Sequence, residues 1–175
     1  MKMGFKMTFV SVVVLAIFIV LAVGSSSDDK PDEQASPDQE QVVTSPEKTD
    51  DEKEKDAYLA AMVINSSSFS EAFNKFSEQT LNCDYSDEWV IQTAVIVLQI
   101  KSLIEDARSI SPTPDFEDSH NLYMQAMVKF EESMDLFMEG YDNLDAQMID
   151  RAGTLLDEGN VLITQATELM VELNY

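Results

Sequence analysis

The chain has one histidine, His120, and one cysteine, Cys83, so its capacity for imidazole and thiol chemistry rests on two side chains. Glu117 precedes His120 by three residues. On a helix that spacing puts a carboxylate and an imidazole one turn apart, where they can share a metal ion. A di-iron bundle needs two such motifs and two further glutamates, and a single histidine cannot complete that set. His120 also falls at the start of a helical pattern, where Glu117 has a simpler role beside the helix dipole. The expected partner of the imidazole is the loop from Ser111 to Thr113. His120 is then a buried histidine near one end of the fold and a candidate pH latch, because protonating it there would loosen its packing.

Asn65 and Ser66 interrupt an otherwise apolar helix face between Met62 and Phe69. A polar notch in an aromatic- and methionine-lined core is a candidate small-ligand site. Equally, a buried Asn or Ser with satisfied hydrogen bonds fixes helix register. Asp84, Asp87, Glu88, Asp142 and Asp145 are expected to gather at one pole, where carboxylates bind Ca²⁺ weakly. Capping and helix-dipole duty also accounts for each of them, and the EF-hand ligand spacing and its glycine are missing. A lone Cys83 rules out an internal disulfide or a cysteine-based zinc cluster. It either cross-links two copies or stays buried as a small apolar group. No Gly-rich phosphate loop, Gly-x-Ser-x-Gly elbow or Ser-His-Asp set is present. Neither catalysis nor a cofactor is expected.

The elements that position these residues are helices. From Phe116 the positions Phe116, His120, Tyr123, Met127, Phe130, Met134, Phe137, Tyr141 and Leu144 step by four and three without a miss. That spacing predicts a long helix with one apolar, coiled-coil-like seam. A second unbroken seam runs Ile149, Ala152, Leu156, Gly159, Ile163, Ala166, Met170, Leu173. Small residues recur on it every seven positions, and they suit the aromatic and Met side chains of the preceding helix. Upstream, Leu59, Met62, Ser66, Phe69, Phe73, Phe76 and Thr80 form a further seam. Trp89, Thr93, Ile96, Ile100, Leu103, Ala107 and Ile110 form the remaining one, with Val90, Ala94, Val97 and Ile104 beside it. The β-branched run Val90–Ile100 is read as a helix buried on a wide face rather than as a strand, because it spans more than a strand and lacks Gly and Pro. Ser86 is a cap, and Pro112 and Pro114 mark the clearest break. The expected fold is all-α, an antiparallel up-down-up-down four-helix bundle over residues 57–175.

The formal net charge is −22, from 11 basic and 33 acidic residues. Such a chain repels nucleic-acid phosphate, so no nucleic-acid partner is expected. Cations and basic protein patches are its natural counterparts. Residues 7–24 carry no charge and lie between Lys2 and Lys6 on one side and Asp28 and Asp29 on the other. That segment, within residues 1–24, reads as a signal-anchor with its N-terminus inside the cell. A signal peptide cleaved near Gly24 is the other reading, and both export the remainder. Residues 25–56 carry 12 acids, four bases and three prolines but few large apolar groups, which predicts a disordered linker.

The residues Phe116, His120, Tyr123, Ala126, Phe130, Gly140, Ile149, Ala152 and Gly159 resemble the C-terminal half of a group of small exported helical domains. These occur in archaea and Gram-positive bacteria, many as lipoproteins or membrane-anchored proteins. The resemblance implies export and a helical fold and assigns no catalytic or ligand residue. This chain lacks the lipid-bearing cysteine after its apolar segment, so its anchor would be the N-terminal helix. The expected function is a non-catalytic interaction or structural module of the cell envelope. A small-ligand-binding or sensory bundle is the alternative. Signalling on its own is disfavoured, since only six residues precede the apolar segment.

Overall fold

A computed structural model describes residues 48–173. The expected anchor at residues 7–24 and residues 25–47 of the expected linker lie outside the described residues. Four α-helices and one short 3₁₀ turn make up the described fold, with no strand among the described residues. No helix of that part is long and apolar enough to cross a membrane.

Helix α1 (Asp50–Leu81) begins earlier than the composition of the linker suggests. Residues 50–56, the end of the expected linker, are helical. Thr49 and Glu52 close a capping box: Glu52 N donates to Thr49 Oγ1 at 3.3 Å and Thr49 N donates to Glu52 Oε2 at 2.8 Å. Asp50, Asp51 and Glu52 in the first turn also suit the positive end of the dipole. A charged segment that buries little is thus helical through its ends rather than through its core. Helix α2 (Asp87–Arg108) starts on the expected cap, with Trp89 N donating to Ser86 Oγ at 3.1 Å. Pro114–Phe116 forms the 3₁₀ turn that leads into α3 (Glu117–Asp142). Thr113 stands before it in extended conformation, but its hydroxyl makes no cap bond. Helix α4 (Ala146–Leu173) starts beside Asp145, whose Oδ1 accepts from Gln147 N at 2.8 Å and Met148 N at 3.3 Å.

Consecutive helices run in opposite directions. Asn65 meets Leu103 while Gln79 meets Trp89 across α1 and α2. Lys101 pairs with Asp135 and Arg108 with Glu131 across α2 and α3. Lys129 pairs with Glu158 and Ser133 bonds to Ala152 across α3 and α4. Helices α1 and α3 run parallel through aromatic contacts, with ring centroids 5.1 Å apart for Phe69–Phe130 and 5.0 Å for Phe76–Phe137. Large rings keep those two helices apart, whereas α3 and α4 approach most closely. The large-against-small pairing expected between α3 and α4 is present where Phe130 lies against Gly159. Fully burying one such ring stabilises the fold by about 1.5–3 kcal/mol.

Three seam assignments shift, the first at Leu173, which ends the fourth seam and is 44% exposed. Leu144 is 82% exposed, because α3 has ended at Asp142 and Leu144 turns the chain at φ 53°. On α2 the buried stripe is Trp89, Thr93, Val97, Ile100, Ile104 and Ala107. It runs between the two expected rows and leaves part of the apolar run outside.

Candidate functional site

His120 lies one turn into α3 and is buried, with Nδ1 3.3 Å from Tyr58 Oη on α1. Its partner is therefore on α1 rather than in the loop from Ser111 to Thr113. Burial depresses the imidazole pKa below its ordinary range. Burial also pushes the Tyr58 phenol up to about 12. In a neutral ring Nδ1 accepts from the phenol in one tautomer and donates to it in the other. Beside them Ser119 Oγ donates to Phe116 O, and the Tyr58 ring stacks on Phe116 at 5.2 Å. Glu117 is exposed, whereas the His120 ring is turned into the bundle against Tyr58. Among the described residues no group of three or more His, Cys, Asp or Glu side chains could hold a metal ion.

Asn65 ties three helices together. Its Nδ2 donates to Leu103 O on α2 at 2.9 Å, and its Oδ1 accepts from Tyr123 Oη on α3 at 2.7 Å. Burial raises the pKa of the Tyr123 phenol, which keeps it a donor. Ser66 is also buried, and its hydroxyl donates to Val63 O one turn back at 3.2 Å. Tyr123 as the partner of Asn65, and Tyr58 as the partner of His120, are the residues that the sequence reading misses. The available signal is a tyrosine on each facing helix, because a buried phenol needs a hydrogen-bond partner.

At the opposite pole the two turns meet. Tyr85 stacks on Tyr141 with centroids 6.0 Å apart, and Trp89 lies 4.8 Å from the same ring. Asp84 Oδ1 accepts from Ser86 N at 2.9 Å, and hydrogen bonds from Ser86 hold its carboxyl below the usual range. Asp87 and Glu88 occupy the first turn of α2, and Asp145 caps α4. Cys83 is a free, half-buried thiol whose pKa burial raises, so it is a poor nucleophile at neutral pH.

The periodicity of α2 does not anticipate its outer face. Ile91, Val95 and Leu98 are 64%, 60% and 66% exposed. They are spaced by four and three, so they share one side of the helix. Residues 89–100 contain no charged side chain. The two basic residues further along, Lys101 and Arg108, are ion-paired to α3 through Asp135 and Glu131. Single exposed apolar residues are ordinary on a protein surface, but three in a row on one face are not.

Residues 48–167 match the model of a family described as a domain of unknown function, DUF7018. The chain belongs to this family. The DUF7018 match begins next to the Thr49 cap and ends inside α4, so it takes in α1 to α3 and most of α4. No curated protein and no solved structure matches the chain.

Proposed function

We propose that this DUF7018 chain is a non-catalytic interaction module of the cell envelope, anchored in the membrane by residues 7–24 with its bundle outside. The observation that carries the interaction reading is the row Ile91, Val95 and Leu98, an uncharged apolar face on a strongly acidic chain. An apolar face held in water without charges is what a protein partner covers. The charge-free segment with lysines before it and aspartates after it supports the anchor and its direction. The absence of catalysis is supported by the environment of His120, whose Nδ1 is engaged by a tyrosine inside the bundle. A small ligand at Asn65 is the alternative, and it would have to displace Tyr123 or the Leu103 carbonyl from the amide.

The test is a photo-crosslinking amino acid placed at 91, 95 or 98 in producing cells, with Val161 on α4 as an exposed control. Discrete adducts at the three α2 positions, lost when a neighbouring position on that face is made Glu, are expected. Equal and diffuse labelling at all four positions would refute the interaction reading. Recovery of the chain in the soluble fraction, beginning near Ser25, would refute the anchor.

A further inference from the structure

The exposed row on α2 extends further than its three apolar residues. Glu88, Ile91, Val95, Leu98, Ser102 and Glu105 continue the same three- and four-residue steps. They form a seam on the outer side of the helix that mirrors the buried one. Asp87 and Glu88 frame it at one end, and Glu105 and Asp106 at the other; all four are exposed. The seam therefore has an apolar centre and a carboxylate pair at each end. From Asp87 to Asp106 it runs for roughly 30 Å of helix. Lys101 pairs with Asp135 on α3, whereas Arg108 bridges Glu131 on α3 and Glu105 on this seam, so Asp87, Glu88 and Asp106 carry the acidic character of the two ends.

Resting on the interaction reading of this face, we propose that the seam docks an amphipathic helix of a partner protein that has an apolar central face and Lys or Arg in its first and last turns. Apolar contact at Ile91, Val95 and Leu98 supplies the area, and the two carboxylate pairs set register and select against acidic competitors. A second copy of the chain fits less well. Antiparallel pairing with Ile91 opposite Leu98 sets Glu105 against Asp84 of the other copy and Glu88 against Lys101, which Asp135 already holds; parallel pairing sets Glu88 beside Glu88. Neither arrangement neutralises the acidic ends, and both bring together chains of net charge −22. The chain's own apolar segment, residues 7–24, has lysines at one end and aspartates at the other, so it meets only one of the two acidic ends with the correct sign.

The test uses the full-length chain in phosphatidylcholine nanodiscs and two synthetic helical peptides of about twenty residues. Both peptides carry Leu along one seam; one has Lys in its end turns and the other has Glu there. Binding is read by fluorescence anisotropy and sedimentation. The Lys peptide is expected to bind, with the Glu peptide weaker by about tenfold or more. Leu98→Glu should weaken the Lys peptide by about tenfold or more, whereas Val161→Glu should not weaken it. Leu98→Glu makes the chain more acidic, so diffuse attraction would bind the Lys peptide as well or better, which would overturn the proposal. Val95→Ser removes apolar area without adding charge and repeats the test if Leu98→Glu disturbs the helical circular dichroism. Equal binding of the two peptides, or no binding of either, also overturns it. So does self-association that Leu98→Glu abolishes. In each of those cases, adducts at 91, 95 and 98 leave the interaction reading standing, whereas diffuse labelling there removes it as well.

Discussion

A Cβ placed on Gly159 would lie 2.7 Å from Cε1 of Phe130, so the phenyl ring occupies the volume that any larger residue on α4 would need. The ring cannot easily retreat, because Phe69 and Phe73 pack on it with centroids 5.1 and 5.6 Å away. Gly159→Ala gains helix propensity of up to about 1 kcal/mol but overpacks the core by about 1–3 kcal/mol. The expected net effect is a loss of about 1–2 kcal/mol. Gly153, on the same helix, has open space around it. Gly153→Ala should therefore stabilise, by up to about 1 kcal/mol. Thermal melts of the two variants should move in opposite directions, and a shared sign would contradict this packing of α4 on α3.

Asn65 is the polar centre of the fold. Asn65→Leu removes two hydrogen bonds and leaves Tyr123 Oη and Leu103 O without the partner they have now. A loss of about 2–4 kcal/mol is expected, since buried polar groups would be orphaned. Tyr123→Phe should cost less, about 1–2 kcal/mol, because one bond to Leu103 survives. The two substitutions share the Tyr123–Asn65 bond, so urea denaturation of the double variant should show less than the summed loss. Strict additivity would mean that the bond contributes nothing.

The contrast between α3 and α2 shows what periodicity can resolve. Polar residues alternate with the seam of α3, so its buried face from Phe116 to Phe137 is legible in the spacing alone. The run from Val90 to Ile100 is apolar on nearly every side, so the period names a helix but not its phase. Only the position of α1 and α3 decides that Val97 goes inside and Val95 stays outside. The same limit hides the candidate interface, because an outward apolar row and an inward one have identical spacing. Tyr58 is hidden for another reason: its partner His120 is far along the chain, and the hydrogen bond depends on the parallel packing of α1 and α3.

The buried imidazole predicts an acid-side loss of stability. Its folded pKa lies below the ordinary value near 6.5 because burial penalises the charged ring. On acidification the unfolded chain therefore binds this proton before the folded one does. The contribution is complete above about pH 6.5 and is lost as the pH falls through that value toward the lower folded pKa. The slope from one such group is at most about 1.4 kcal/mol per pH unit. His120→Gln should flatten the profile between about pH 7.5 and about pH 5, above the range where Glu52, Glu71 and Asp84 titrate. Urea midpoints across that interval are the measurement, and parallel profiles for the two proteins would rule out a latch at His120.

The start of α1 calls for a local measurement rather than a global one. Thr49 and Glu52 hold the first turn through reciprocal hydrogen bonds at an exposed end of the bundle. Tyr58 is the first fully buried residue of α1, so little of the core depends on the turn that Thr49 caps. Between them Lys55 provides a weak tether, with Nζ 5.1 Å from the centre of the Phe116 ring. Such a cation–π contact contributes about 0.5–1 kcal/mol at a partly exposed site. Thr49→Ala should therefore fray residues 50–53 and leave the global unfolding midpoint within about 0.5 kcal/mol of the parent. Hydrogen exchange resolves the two effects: amides of the first turn should exchange faster while those of Phe69–Phe76 keep their protection. If the core amides lost protection to the same extent, α1 would unfold as one unit and the charged segment before Tyr58 would belong energetically to the bundle.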